Sequence, residues 1–228
     1  MFEEVIVPCH GERLEREALP ALQRALFGKD LEPLGAFVRG LKVEDPALRG
    51  AIERDWQEVR AHVLHGQIDY SGRGPLPEHW RQYIDRDANL YDWRHPKWAQ
   101  DAERLLVDAT IRTAHAEGWD GRVHAQGRTV SGFVDLLLEV AEALPEGKPL
   151  VEKFLEGLPE WLQHANAYTG GYLTEGDTAA LHGLLAGKQA ELGTRLKAGP
   201  VLPSFLAVLA RAQEAGVGLS WTVPGMSR

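Results

Sequence analysis

The recurrence of apolar residues at helical spacing constrains this chain more than any motif in it. Between Pro46 and His65, Leu48, Ile52, Trp56, Val59 and Val63 follow one another at steps of three and four. That spacing puts them on one face of a helix with a core-facing stripe, and Gly66 stands where the helix would stop. The same pattern recurs along the chain. Leu14, Ala18, Leu22, Ala25 and Leu26 form a stripe with Gly28 at the expected cap, and Pro20 demands either a helix start or a break. Asp30 to Lys42 reads as a helix with Pro33 in its first turn. Lys97 to Glu117 carries Trp98, Ala102, Leu105, Leu106 and Ala109. A helix capped by Ser131 carries Phe133, Leu136, Leu137, Val140 and Leu144. Lys148 to Ala167 carries Val151, Phe154, Leu155 and Leu158, with Pro159 breaking or restarting it. Thr174 and Asp177 form a capping pair for a helix reaching about Leu192. The last helix carries Phe205, Val208, Leu209 and Ala212 and ends at Gly216.

Strand signals lie near the two ends, in Phe2–Cys9 and Val217–Val223. Pairing would tie down termini that otherwise fray, so Val5–Val7 and Leu219–Val223 are expected in one small sheet. Asp120 to Val130 reads as a hairpin-like connection, and Tyr168 to Tyr172 as a glycine turn. The expected fold is mainly α: a multi-helix globular bundle with a small sheet formed by the N- and C-terminal strands. One domain over residues 1–228 is expected, and the Gly/Pro-rich stretch 67–77 is where a subdivision would fall.

Bulk composition excludes several classes. The chain has 228 residues, a net charge of −8 and 44% hydrophobic residues, enough to bury a sizeable core. The acidic balance disfavours general binding to phosphate backbones. The single cysteine, Cys9, excludes an intrachain disulfide and a cysteine-based structural zinc site, and it fits a reducing cytoplasm. No apolar stretch approaches the ~20 residues that span a bilayer, and the N-terminal run lacks the basic flank of a signal peptide. Motifs for phosphate loops, dinucleotide binding, nucleophile elbows, zinc proteases and EF-hands are absent.

Two constellations remain. The segment from His79 to Trp98 crowds Trp80, Tyr83, Tyr91 and Trp93 among Arg81, Arg86 and Arg94. Aromatic rings beside guanidinium groups suit an interface hot spot, and they equally suit an irregular connection anchored to the core. The expectation drawn from this segment is a non-catalytic protein-binding or regulatory domain, with another protein or a second copy as partner.

The second constellation lies on the clearest helix. Asp55, Glu58, His62 and His65 fall within roughly an 80° wedge beside the apolar stripe. Carboxylates and imidazoles are ligands for zinc, manganese or iron, and in helical bundles such ligands come from facing helices. Asp101, Asp108 and His115, at steps of seven, offer that second face. The alternative expectation is therefore a metal-dependent hydrolase, with a divalent ion as cofactor. Polar residues flanking any amphipathic stripe look similar, which is the competing explanation. Two lesser candidates are Cys9 with His10 and Glu12, whose neighbours on a strand point to opposite faces, and a pocket mouth at His164, Asn166, Tyr168 and Tyr172.

Overall fold

The computed structural model describes residues 5–66, 97–116, 123–124, 131–159 and 169–222. In chain order the elements are β1 (Val5–Cys9), α1 (Leu19–Gly28), α2 (Glu32–Gly40), α3 (Pro46–Leu64), α4 (Lys97–Leu106), β2 (Val123–His124), α5 (Ser131–Ala143), α6 (Lys148–Glu156), β3 (Thr169–Leu173), α7 (Glu175–Ala186), α8 (Gln189–Arg195), α9 (Leu202–Ala215) and β4 (Gly218–Thr222). A short helical run, Gly11–Arg13, and a π-helical turn, Leu14–Ala18, lead into α1. A second π-helical turn, Val107–Arg112, continues α4 into the helical residues Thr113–Ala116. The protein is mainly α with a small antiparallel sheet, as its apolar spacing predicts. None of the described helices is long and apolar enough to cross a membrane.

The described residues separate into two units. Those within 1–12, 117–158 and 168–228 form one, and those within 13–116 and 159–167 the other. The stretch 67–77 lies outside the described residues.

The first unit holds the sheet, with strand order β2-β1-β4-β3. The expected pairing of the terminal strands is present: Val5 faces Thr222, Val7 faces Ser220 and Cys9 faces Gly218. The predicted glycine turn Tyr168–Tyr172 is instead largely strand, since β3 pairs with β4 across a bulge between Thr169 and Tyr172. Close packing explains the glycines. A Cβ on Gly171 would overlap the carbonyl oxygen of Lys153, so only glycine lets β3 approach α6 this closely. Beneath the sheet, Phe133, Phe154 and Phe205 pack edge-to-face and stacked, with centroids 5.1 to 6.3 Å apart. Buried Leu136, Leu137, Val140, Leu181, Leu185 and Leu209 complete that core. The capping pair forms as expected: Thr174 Oγ1 accepts from the Asp177 N–H, and the Asp177 carboxylate accepts from the Thr174 N–H, both at 3.1 Å.

The second unit is helical. α1 packs on α2, and α3 on α4. Of the two outcomes expected at Pro20, a helix start is the one found: α1 begins at Leu19. The preceding turn widens so that the Leu19 N–H donates to Leu14, five residues back, and the proline follows in the first turn of α1. A widened turn relieves the clash that a proline ring makes in a regular helix. The cap after α1 also differs from expectation: Gly28 stays helical and Lys29 takes the left-handed conformation at φ 56°. α3 begins where Asp45 accepts the Ala47 N–H at 2.8 Å with Pro46 in the first turn. It ends before Gly66, whose φ of +65° suits a residue without a side chain.

Candidate metal centre

The apolar stripe of α3 is buried as its spacing requires, and so are Trp98, Ala102, Leu105 and Ala109 beyond it. Where α3 meets α4, these stripes bring polar neighbours into the same seam. His62 Nε2 and Asp101 Oδ2 are 2.8 Å apart, and both residues are buried. Glu58, half-buried one turn before His62, completes a trio. One ligand atom from each of Glu58, His62 and Asp101 lies within 4.8 Å of the others, so this group could hold a metal ion.

The two helices run antiparallel through this seam. Seven residues back from His62 stands Asp55, and seven residues on from Asp101 stands Asp108. Two turns of helix separate each pair, roughly 10 Å. Asp55 is fully buried; the Arg104 Nε of α4 lies 3.7 Å from its Oδ1, and the Arg54 Nε donates to the same oxygen at 3.1 Å. Arg104 also donates to Asp101, so one guanidinium spans both carboxylates. Arg112 Nη1 donates to Asp108 at 3.0 Å. The other Asp55 oxygen, Oδ2, is buried with no hydrogen-bond partner among the described residues.

Asp108 sits in the π-helical turn Val107–Arg112. Such turns loosen the regular backbone ladder. Here Thr110 donates to the Leu106 carbonyl at 2.7 Å and Thr113 to the Ala109 carbonyl at 2.8 Å. These bonds supply acceptors along the widened turn with donors, which lets the segment stay buried. Burial pushes the Asp108 carboxyl above the usual aspartate range, against the opposing pull of Arg112. The hydrogen bond to Asp55, followed by the charge of that carboxylate, raises Arg54 above its ordinary value.

Of the six residues of the metal hypothesis, Asp55, Glu58, His62 and Asp108 lie along this seam. His65 does not join them: it caps the C-terminus of α3 and is exposed. His115 belongs to the helical residues Thr113–Ala116, and its side chain lies outside the described set. The arginines were missed. Arg104 stands three residues after Asp101, and Arg112 four after Asp108, spacings at which side chains on a helix meet.

Trp80, Arg81, Tyr83, Arg86, Tyr91, Trp93 and Arg94 lie outside the described residues; Trp98, which ends that aromatic segment, is buried. Of the residues proposed for a pocket mouth, His164, Asn166 and Tyr168 lie outside the described residues, and Tyr172 is described. It is buried in β3, with the Lys153 ammonium 5.1 Å from its ring centroid. Cys9 is wholly buried, and burial, helped by the charge of Glu175, pushes its thiol far above the ordinary range. A thiol so held is protonated at neutral pH and is no nucleophile.

Comparison with protein-family models, curated proteins and solved structures finds no match to this chain.

Proposed function

We propose that the protein is a divalent-metal-dependent hydrolase whose ion is held by Glu58, His62 and Asp101. The convergence of these three side chains from two antiparallel helices carries this reading. Buried carboxylates cost folding free energy unless they are paired or coordinate a cation. One imidazole and two carboxylates suit zinc, manganese or iron(II), and three protein ligands leave positions open for water. An ion there would supply a bound hydroxide near neutral pH and polarise a substrate oxygen. With one cysteine and no described membrane-spanning helix, we place the protein in the cytoplasm.

Metal ligands bind in their deprotonated form, so metal affinity should rise with pH. Elemental analysis of protein purified without chelator tests the reading. We expect close to one equivalent of metal, lost in His62→Ala. Absence of metal, with no uptake of added zinc, manganese or iron, would overturn it. In that event the remaining proposal is a non-catalytic domain that binds a protein partner or a second copy through Trp80, Trp93 and the neighbouring arginines. It rests on the aromatic–arginine pattern alone.

A further inference from the structure

The carboxylate of Asp101 is divided between two partners. Its Oδ2 lies 2.8 Å from His62 Nε2, and its Oδ1 accepts from Arg104 Nη2. Arg104 stands three residues after Asp101 on α4, a spacing at which side chains on a helix meet. The same guanidinium puts its Nε 3.7 Å from Asp55 Oδ1, on α3. The side chains of Asp101 and Asp55 are 0% and 1% exposed, and that of Arg104 is 50% exposed. The guanidinium therefore reaches from the surface to two buried carboxylates, and it ties α4 to α3 next to the contact between Asp101 and His62.

Rotation about the terminal bond of an aspartate is soft, so nothing intrinsic to Asp101 decides which oxygen, or how many, would meet an ion. A fixed donor on one oxygen decides it. A guanidinium only donates, and it keeps its charge at every working pH. With Oδ1 engaged by Arg104, Oδ2 is the oxygen that faces His62. Neutralising two buried acids would also explain an arginine here, without any metal. The two explanations part in sign, because a positive charge so close opposes a cation.

We infer that Arg104 is the positioning residue of the metal centre: it holds Asp101 through Oδ1, so that this carboxylate meets the ion through Oδ2 alone. This rests on the metal reading given above. An ion on Oδ2 and His62 Nε2 replaces the direct contact between those two atoms, while the Arg104 bond to Oδ1 stays. One oxygen from Asp101 instead of two keeps a coordination position open for water, which a hydrolytic site needs. Hydrogen bonds from outlying residues orient metal ligands in this way, and losing one weakens metal binding by about tenfold to a hundredfold.

The test is titration of the full chain, stripped of metal, with cobalt(II), whose visible absorption weakens as its coordination number rises. The parent, Arg104→Gln and Arg104→Lys are compared, with the fold of each checked by circular dichroism. We expect Arg104→Gln to bind cobalt(II) at least about tenfold more weakly than the parent. Its bound ion should also absorb less strongly, because the released Oδ1 joins the ion. Arg104→Lys keeps the charge but not the fork, and it too should bind more weakly than the parent. It decides the test alone if Arg104→Gln does not fold. An arginine that only neutralises buried acids gives the opposite sign: Arg104→Gln then binds the cation as tightly as the parent or more tightly. That result overturns this inference alone, as does an Arg104→Lys protein that matches the parent in affinity and spectrum. Failure of the parent to take up metal overturns the metal reading and this inference with it.

Discussion

In the unit that carries the sheet, the buried polar side chains among the described residues are the hydroxyls of Thr178 and Ser220; the α3–α4 seam of the other unit buries Asp55, His62, Asp101 and Asp108. The same helical periodicity built both. In the first, leucines, phenylalanines and valines of α5, α6, α7 and α9 pack into one apolar cluster. In the second, the apolar stripe runs beside a row of ionisable groups that is buried with it. Apolar burial explains the first unit's stability without reference to function. Buried carboxylates do the opposite, because an isosteric hydrophobic pair in their place is often neutral or more stable. If the seam holds a metal ion, it is a part of the molecule where stability has been set aside for chemistry.

That contrast can be broken or sharpened by mutation. The largest effect is expected in the apolar unit. Phe154→Ala removes a fully buried ring between two others and should lower the unfolding free energy by about 3–5 kcal/mol in urea titration. Replacing His62 and Asp101 together by leucine should leave stability unchanged or raise it by about 1–4 kcal/mol while abolishing metal uptake. A loss on the scale of Phe154→Ala would mean that the pair is structural. Thr174→Ala removes one half of the capping box on α7 and should cost about 1 kcal/mol, read from the same denaturation curves.

The smallest effect is a pair of opposed pH slopes. Burial pushes Asp177 upward, but the hydrogen bonds from Lys153 and Thr174 outweigh it and hold the carboxyl below the ordinary range. Its contribution is complete above the unfolded value, about 3.9, and is lost as pH falls through the lower folded value. Asp108 is raised, so its ionisation opposes folding. That cost is present above the raised folded value and relieved as pH falls through it. The stability advantage of the parent over Asp177→Asn should therefore shrink on acidification below about pH 4. Relative to Asp108→Asn, the parent should instead gain as pH falls toward that value. Parallel slopes for the two variants would remove the electrostatic distinction between the units.

Much of the fold was readable because apolar spacing and caps are local signals. The stripes of α3, α5 and α9 and the Thr174–Asp177 cap depend on residues a few positions apart. The terminal strand pairing followed from β-branched runs at both ends. What could not be read depends on contacts distant in sequence. Gly170 and Gly171 read as a turn because the approach of β3 to the Lys153 carbonyl cannot be seen from the glycines. The two π-helical turns leave no periodic trace, and Pro20 offered only a choice between starting and breaking a helix. At the site, Asp55, Glu58 and His62 share a helix face and were legible together. Asp101 was visible only as one of three residues at steps of seven. It meets His62 where α3 packs on α4, and the His115 side chain lies outside the described set. His65 fell within the same wedge, but α3 ends there and leaves it exposed.

The most direct test of the account is the unfolding free energy of the parent protein measured in chelator and again with excess zinc or manganese, beside the His62→Leu/Asp101→Leu double variant. A ligand that binds only the folded state stabilises it by mass action, by about 2.7 kcal/mol at a hundredfold excess over its dissociation constant. The account predicts that gain for the parent and none for the double variant. Equal curves for the parent in chelator and in metal, with an intact double variant, would contradict it and leave the buried seam as an ion-pair network without a cation to hold.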